Sequence, residues 1–348
     1  MFFSKFYFSA LFIGVFMLSG CSSPETIQRP VPDKKEIARL DERSGKLAEK
    51  IKGFSVRATV IDRETLQLAN AALLTERLKK LGFNRVFFTL TPGDGLDEML
   101  TGFIAQCSRN GIAVYGHIRQ IDAVYKPSNN LFLRKFFDEP VTLASVTAEF
   151  AGQNRELPPE QQLKGFVLDM APHLFTTSTP FRPSDCPYSW GRERFGKGLD
   201  NEQLMAFSHN EVENAARAVA PLPVMVQIPD FYHGLVKSGK LSAGTLLKFT
   251  GKGKVPRELV ILNSGNKPSE LFNRVKEELK DTPQNIPVLV AVNIAPHTAI
   301  TKGELRRRNW NDLVRSISYA AGKFQSNRNF SGLVLAPCNR IELLLEEK

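Results

Sequence analysis

Leu163-Lys164-Gly165-Phe166-Val167-Leu168-Asp169-Met170 is a short apolar run that opens after a glycine and ends beside an acid. Its consecutive large apolar side chains leave no polar face, so a strand made from them must be covered on both sides. A run this short also fits a buried helix, and its surroundings decide between the two. Similar runs recur before it at Ser55–Ile61, Arg85–Leu90 and Ile112–Ile118. Four more follow at Leu222–Ile228, Glu258–Asn263, Val288–Ile294 and Gly332–Ala336. Between them lie segments of helical period: Thr65–Leu81, Gly95–Asn110, Leu131–Ala151, Asn201–Val219, Ser242–Phe249, Pro268–Lys280 and Asn309–Gln325. Eight buried strands alternating with helices predict an α/β protein whose parallel sheet closes into a single-domain (β/α)8 TIM barrel over residues 54–348. No glycine-rich dinucleotide fingerprint follows the first strand, which speaks against an open doubly wound sheet, and no cofactor is expected.

In such a barrel, chemistry sits where strands pass into their following loops. Those ends supply Asp62; Thr91 and Asp94; His117, Arg119 and Gln120; Asp169 and His173; Gln227 and Asp230; Asn263; Asn293; and Asn339 with Arg340. Asp62 and Asp94 stand just before helical patterns and read as helix N-caps. The remaining polar groups, gathered over an apolar barrel, suit a sugar better than a flat cofactor. The longest connection, from Ala171 to about Gly198, carries Tyr188 and Trp190, either a stacking platform for a pyranose ring or aromatic pins holding the loop down. The five histidines show no helix-face pair and no cysteine partner at zinc spacing, so no metal site is expected. No Gly-x-Ser-x-Gly turn marks a serine nucleophile.

The N-terminus reads as an export signal. Lys5 is the only charge in residues 1–20, and Phe6–Met17 is almost wholly apolar, the length of a signal core rather than of a membrane span. Leu18-Ser19-Gly20-Cys21 then resembles a bacterial lipobox, which implies cleavage before Cys21 and lipidation of its sulfur as a diacylglycerol thioether, palmitate included. Several acyl chains on one residue give stable membrane anchoring. Ser22 points to the outer membrane, by analogy with the sorting rule of some Gram-negative envelopes. Residues 21–32 form a proline-bearing tether. In residues 33–53, Asp33 and Glu36 open a lead-in helix, and Ile37, Leu40, Leu47 and Ile51 mark one face of it.

The formal charge is +10, but the 46 Lys and Arg residues are spread without a dense basic run, which excludes a nucleic-acid motif. The charge reads first as plain solubility, and after that as an affinity of an exported basic protein for anionic lipid head groups or acidic glycans. Cys107 lies on the apolar side of a helix and reads as a buried small residue, while Cys186 and Cys338 fall in loops where export would permit pairing.

Leu163-Lys164-Gly165-Phe166-Val167-Leu168-Asp169-Met170-Ala171-Pro172-His173 resembles the strand-four signature of glycoside hydrolase-like (β/α)8 proteins, and Pro287–Leu335 resembles their strand-seven to strand-eight ending. The resemblance implies a carbohydrate partner, a glycan or cell-envelope polysaccharide. The chain departs from the pattern where it matters for catalysis. Ala171 stands where relatives carry a glutamate, Asn293 where a second is expected, and Ala336-Pro337 where a polar aromatic or histidine is typical. Hydrolysis ordinarily needs a carboxylic acid to protonate the leaving oxygen and a carboxylate to attack or activate water. Three readings stay open. The barrel binds glycan with hydrolysis reduced or lost, through Trp190, Tyr188, Asn293, His117, Arg119 and Gln227. Alternatively, Asp169 and Asp230 form a shifted catalytic pair assisted by His173 or His117. The third reading is a non-catalytic envelope scaffold.

Overall fold

The eight apolar runs form eight strands: β1 (Val56–Ile61), β2 (Arg85–Thr89), β3 (Ala113–Arg119), β4 (Phe166–Asp169), β5 (Val224–Pro229), β6 (Glu258–Asn263), β7 (Val288–Asn293) and β8 (Phe330–Ala336). All are parallel, each pairs with its sequence neighbours, and β8 returns to β1, so the sheet is a closed barrel. The computed structural model describes residues 34–120, 142–170, 201–230, 237–238, 258–263, 268–282, 285–293, 310–339, 341 and 345. The chain divides into two units, Met1–Arg39 and Leu40–Lys348, and the second holds the whole barrel.

Alternation along each strand feeds two cores. Ala58, Phe87, Val167, Met225, Val260 and Val334 meet inside the barrel. Val86, Val114, Leu168, Val226, Val290 and Leu333 point outward under the helices. Both faces are therefore apolar, which is why these strands read as runs rather than as alternations. Burying a side chain such as Phe87 or Phe88 contributes about 1.5–3 kcal/mol. Two glycines permit close approaches. A Cβ on Gly332 would lie 1.9 Å from the Val56 carbonyl oxygen, at the β8–β1 seam where the barrel closes. Gly165, at φ +155°, would set a Cβ 2.4 Å from the carbonyl oxygen of Pro223, to which Phe166 donates at 3.0 Å.

The helices are α1 (Lys34–Ile51), α2 (Arg63–Leu68), α3 (Ala71–Lys80), α4 (Glu98–Arg109), α5 (Leu143–Arg155), α6 (Asn201–Val219), α7 (Pro268–Asp281) and α8 (Trp310–Phe324). They cover the outer core with apolar stripes: α8 buries Leu313, Ser316, Ile317, Ala320 and Phe324 at helical spacing. Leu47 and Ile51 of α1 are fully buried. Cys107 is buried beside Thr75, its Sγ 3.7 Å from the hydroxyl, and burial pushes its thiol up to about 12.

Two expectations are corrected. Thr65–Leu81 is not one helix. The chain breaks at Ala69-Asn70, and the Asn70 side chain accepts from the amides of Ala72 and Leu73 to start α3 afresh. Asp94 is not a cap either: Asp97 accepts from Leu100 N at the head of α4, while Asp94 lies 3.5 Å from Arg63 Nε, and Arg63 also pairs with Asp97. Asp62 caps α2 as expected, accepting from Thr65 N at 2.8 Å. The expected helix Ser242–Phe249, the cap Asp33, residues 1–32 with Cys21, and Cys186 lie outside the described residues. Cys338 is buried just beyond β8.

The N-terminal end of the barrel is tied across its width. Arg85 of β2 donates through Nη1 to Glu258 Oε2 of β6 at 2.6 Å, and these strands stand opposite each other in the ring. The guanidinium also lies 4.8 Å from the Tyr115 ring centroid and 3.5 Å from Met225 Sδ. Burial raises the Tyr115 hydroxyl above its usual pKa of 10.0; Arg85 opposes the rise and Glu258 adds to it.

Candidate functional site

At the opposite end, the inward positions turn polar on consecutive strands. The period that carries Arg85 and Phe87 to the interior carries Thr89 there as well. On β3, Tyr115 is followed at the same spacing by His117 and Arg119. On β4, Val167 leads to Asp169, and on β5, Met225 leads to Gln227. Strand register sets these side by side: Thr89 pairs with His117, Arg119 with Asp169, and Asp169 with Gln227. The far side differs: Val60 packs on the inner apolar cluster and β8 ends at Ala336.

The register brings three side chains into line. Thr89 Oγ1 lies 3.4 Å from His117 Nδ1, and His117 Nε2 lies 3.9 Å from Asp169 Oδ2. The first distance is a hydrogen bond at its long limit, and the second is an electrostatic approach beyond hydrogen-bond length. The His117 side chain is 6% exposed and the Asp169 side chain 19%, so the line runs from the barrel interior toward its mouth. Gln227 is buried, and its carbonyl oxygen accepts from Met170 N at 2.9 Å, locking the end of β4 against β5.

Other expected site residues are placed less completely. Asp230 is 2% exposed and follows β5 by one residue, in the alternation of Val226 and Ile228 rather than that of Met225 and Gln227. Asn293 is the last residue of β7, its backbone in register with Ala336. Its side chain, together with His173, Tyr188 and Trp190, lies outside the described residues. Thr89 was missed in the sequence, where Thr91 and Asp94 represented strand two; counting by twos from Arg85 and Phe87 would have found it. Among the described residues, no group of three or more His, Cys, Asp or Glu is arranged to hold a metal ion. No helix among them is long and apolar enough to cross a membrane.

The arrangement sets hydrogen-bond donors and acceptors side by side. A carboxylate accepts, a guanidinium donates, and an amide and an imidazole each do both.

No protein-family model matches the chain, and no curated protein matches it. Solved structures do resemble it. A mutant xylanase 10C from Cellvibrio japonicus, in complex with xylopentaose, superposes with a TM-score of 0.50 at 13% identity, covering 84% of this chain and 60% of that one. Native xylanase 10B from Thermotoga maritima gives 0.47 at 11% identity, covering 83% and 85%. A phosphonopyruvate hydrolase gives 0.40 at 10% identity, covering 86% and 82%. At such identities the likeness is one of fold: a (β/α)8 barrel resembling that of xylanases.

Proposed function

We propose that this chain is a lipid-anchored, carbohydrate-associated protein that binds glycan at the C-terminal mouth of its barrel, with hydrolysis reduced or lost. One observation carries the reading. Across the inward positions whose side chains are described at that mouth, the polar groups lie on β2 to β5 and include a single carboxylate, Asp169. One carboxylate with an imidazole, a guanidinium and an amide suffices to bind sugar hydroxyls. Glycoside hydrolysis ordinarily needs two carboxyl groups flanking the bond. Ala171 and Asn293, where acids are expected, support the same conclusion. The xylopentaose held by the Cellvibrio xylanase, whose barrel this one resembles, supports the glycan-binding half of the reading alone. Trp190 and Tyr188 of the loop after β4 would supply the stacking surface, and His173 a further polar group.

A second reading is an active hydrolase using Asp169 and Asp230. Its support is that Asp230 is a buried carboxyl one residue past β5, the strand adjoining Asp169. The membrane half of the proposal rests on Phe6–Met17 and on Leu18-Ser19-Gly20-Cys21. Cys21→Ala should leave unprocessed precursor without lipid; normal maturation and membrane retention of that variant would remove the anchor.

A glycan array and a product-release screen of Ser22–Lys348, beginning with xylopentaose, test the site. Binding without product release is expected, weakened more by Trp190→Ala than by Asp169→Asn. Turnover abolished by both Asp169→Asn and Asp230→Asn would establish the hydrolase instead, and silence toward every glycan would leave the envelope scaffold.

A further inference from the structure

We infer that Thr89 is a positioning residue: its hydroxyl donates to His117 Nδ1 and holds the imidazole as the tautomer that carries its proton on Nε2, facing Asp169. The assignment follows from what each atom can do. An ionised carboxylate only accepts, so the ring nitrogen turned toward Asp169 Oδ2 at 3.9 Å is favoured as an N–H. In a neutral imidazole the other nitrogen is then a bare acceptor. That nitrogen is Nδ1, and the hydroxyl facing it at 3.4 Å is Thr89 Oγ1. In that tautomer the threonine hydroxyl is the donor of this pair. Backbone pairing holds both residues in place: Thr89 and His117 are register partners on β2 and β3, and Leu90 N donates to the His117 carbonyl oxygen at 2.9 Å. Gly116, between them on the outward face, leaves room for the Leu90 and Phe166 side chains, whose atoms a Cβ there would meet at 2.7–3.0 Å.

The consequence concerns recognition. Nε2 itself is buried, so the imidazole acts on a ligand through Asp169, whose side chain is the more exposed of the two at 19%. An Asp169 carboxylate that faces Nε2–H keeps its other acceptor sites for a sugar hydroxyl, which donates to it. This second step rests on the glycan reading above; the tautomer does not.

The test uses the mature protein labelled with 15N, reading the imidazole nitrogens by long-range proton–nitrogen correlation above the pH at which the ring titrates. The His117 signals are identified by their loss in His117→Gln. The wild type should show a protonated Nε2 and a bare Nδ1. Thr89→Val should move both nitrogens toward exchange-averaged positions, and Thr89→Ser should restore them. A protonated Nδ1 in the wild type overturns the assignment without recourse to any variant, and so does a Thr89→Val spectrum identical to the wild type. Xylopentaose affinity supplies the second readout. Loss of one hydrogen bond of ordinary strength predicts about a threefold to tenfold weakening in Thr89→Val and recovery in Thr89→Ser. Equal affinity in all three overturns the role in recognition. No binding by the wild type overturns the glycan reading for this probe, and the spectrum still decides the tautomer.

Discussion

The two ends of this barrel are built from the same inward alternation and use it differently. At the N-terminal end, Arg85 and Glu258 come from strands on opposite sides of the ring and meet across it, with Tyr115 and Met225 against the guanidinium. At the C-terminal end, Thr89, His117, Arg119, Asp169 and Gln227 come from neighbouring strands and lie along one arc of the rim. A pair spanning the ring closes it and satisfies its charges internally. A series along the rim sets its donors and acceptors side by side at the strand ends, as the proposed glycan site requires. Opposed pairing makes the first end a plug, and adjacent pairing makes the second a floor.

The largest effect should come from the seam beside the plug. Gly332→Ala forces a Cβ into the Val56 carbonyl, and overpacking against backbone should cost about 3 kcal/mol, the upper end of the usual range, read by urea unfolding. A loss under ~0.5 kcal/mol would mean that the seam is pliable and that the N-terminal end is not the rigid one.

The plug itself comes next. Arg85→Met leaves Glu258 shielded without its cation, and with the two side chains still 15% and 17% exposed the cost should be about 2 kcal/mol, below that of a fully buried pair. Adding Glu258→Leu should recover most of the loss, because an apolar replacement of both partners removes the stranded charge.

These features differ in how far they can be read from sequence. The eight strands were legible because a parallel barrel buries both strand faces and leaves apolar runs. The break in Thr65–Leu81 was not, since Asn70 caps a helix with a side chain that helical periodicity does not register. His117, Asp169 and Gln227 were legible as strand-end polar groups. Their neighbour Thr89 was overlooked because the residues after the strand were counted instead of its inward parity. The Arg85–Glu258 tie was invisible: its partners stand 173 residues apart, and only the closed register brings them together.

A smaller effect is tied to pH. The Tyr115 hydroxyl is raised above its unfolded value, so the folded state holds that proton more tightly than the unfolded chain does. Its contribution is fully present below pH ~10 and is lost as pH rises through the folded pKa. Unfolding followed from pH 8 to 11 should show stability falling at the alkaline end, and Tyr115→Phe should flatten that fall. An unchanged profile in the variant would separate Tyr115 from the plug.

The smallest effect on stability should come from the rim. Asp169→Asn keeps the shape and most hydrogen bonds, so it should shift unfolding by no more than ~1 kcal/mol while acting on ligand. A loss as large as that of Arg85→Met would make the C-terminal end structural and erase the contrast.

That contrast is tested most directly by titrating Ser22–Lys348 calorimetrically with xylopentaose and the glycans selected on the array, while following release of new reducing ends. The account predicts saturable binding that Asp169→Asn weakens modestly, with no new reducing ends. Turnover that falls by ~100-fold or more in Asp169→Asn, as expected when an essential proton-transfer group is removed, would contradict it.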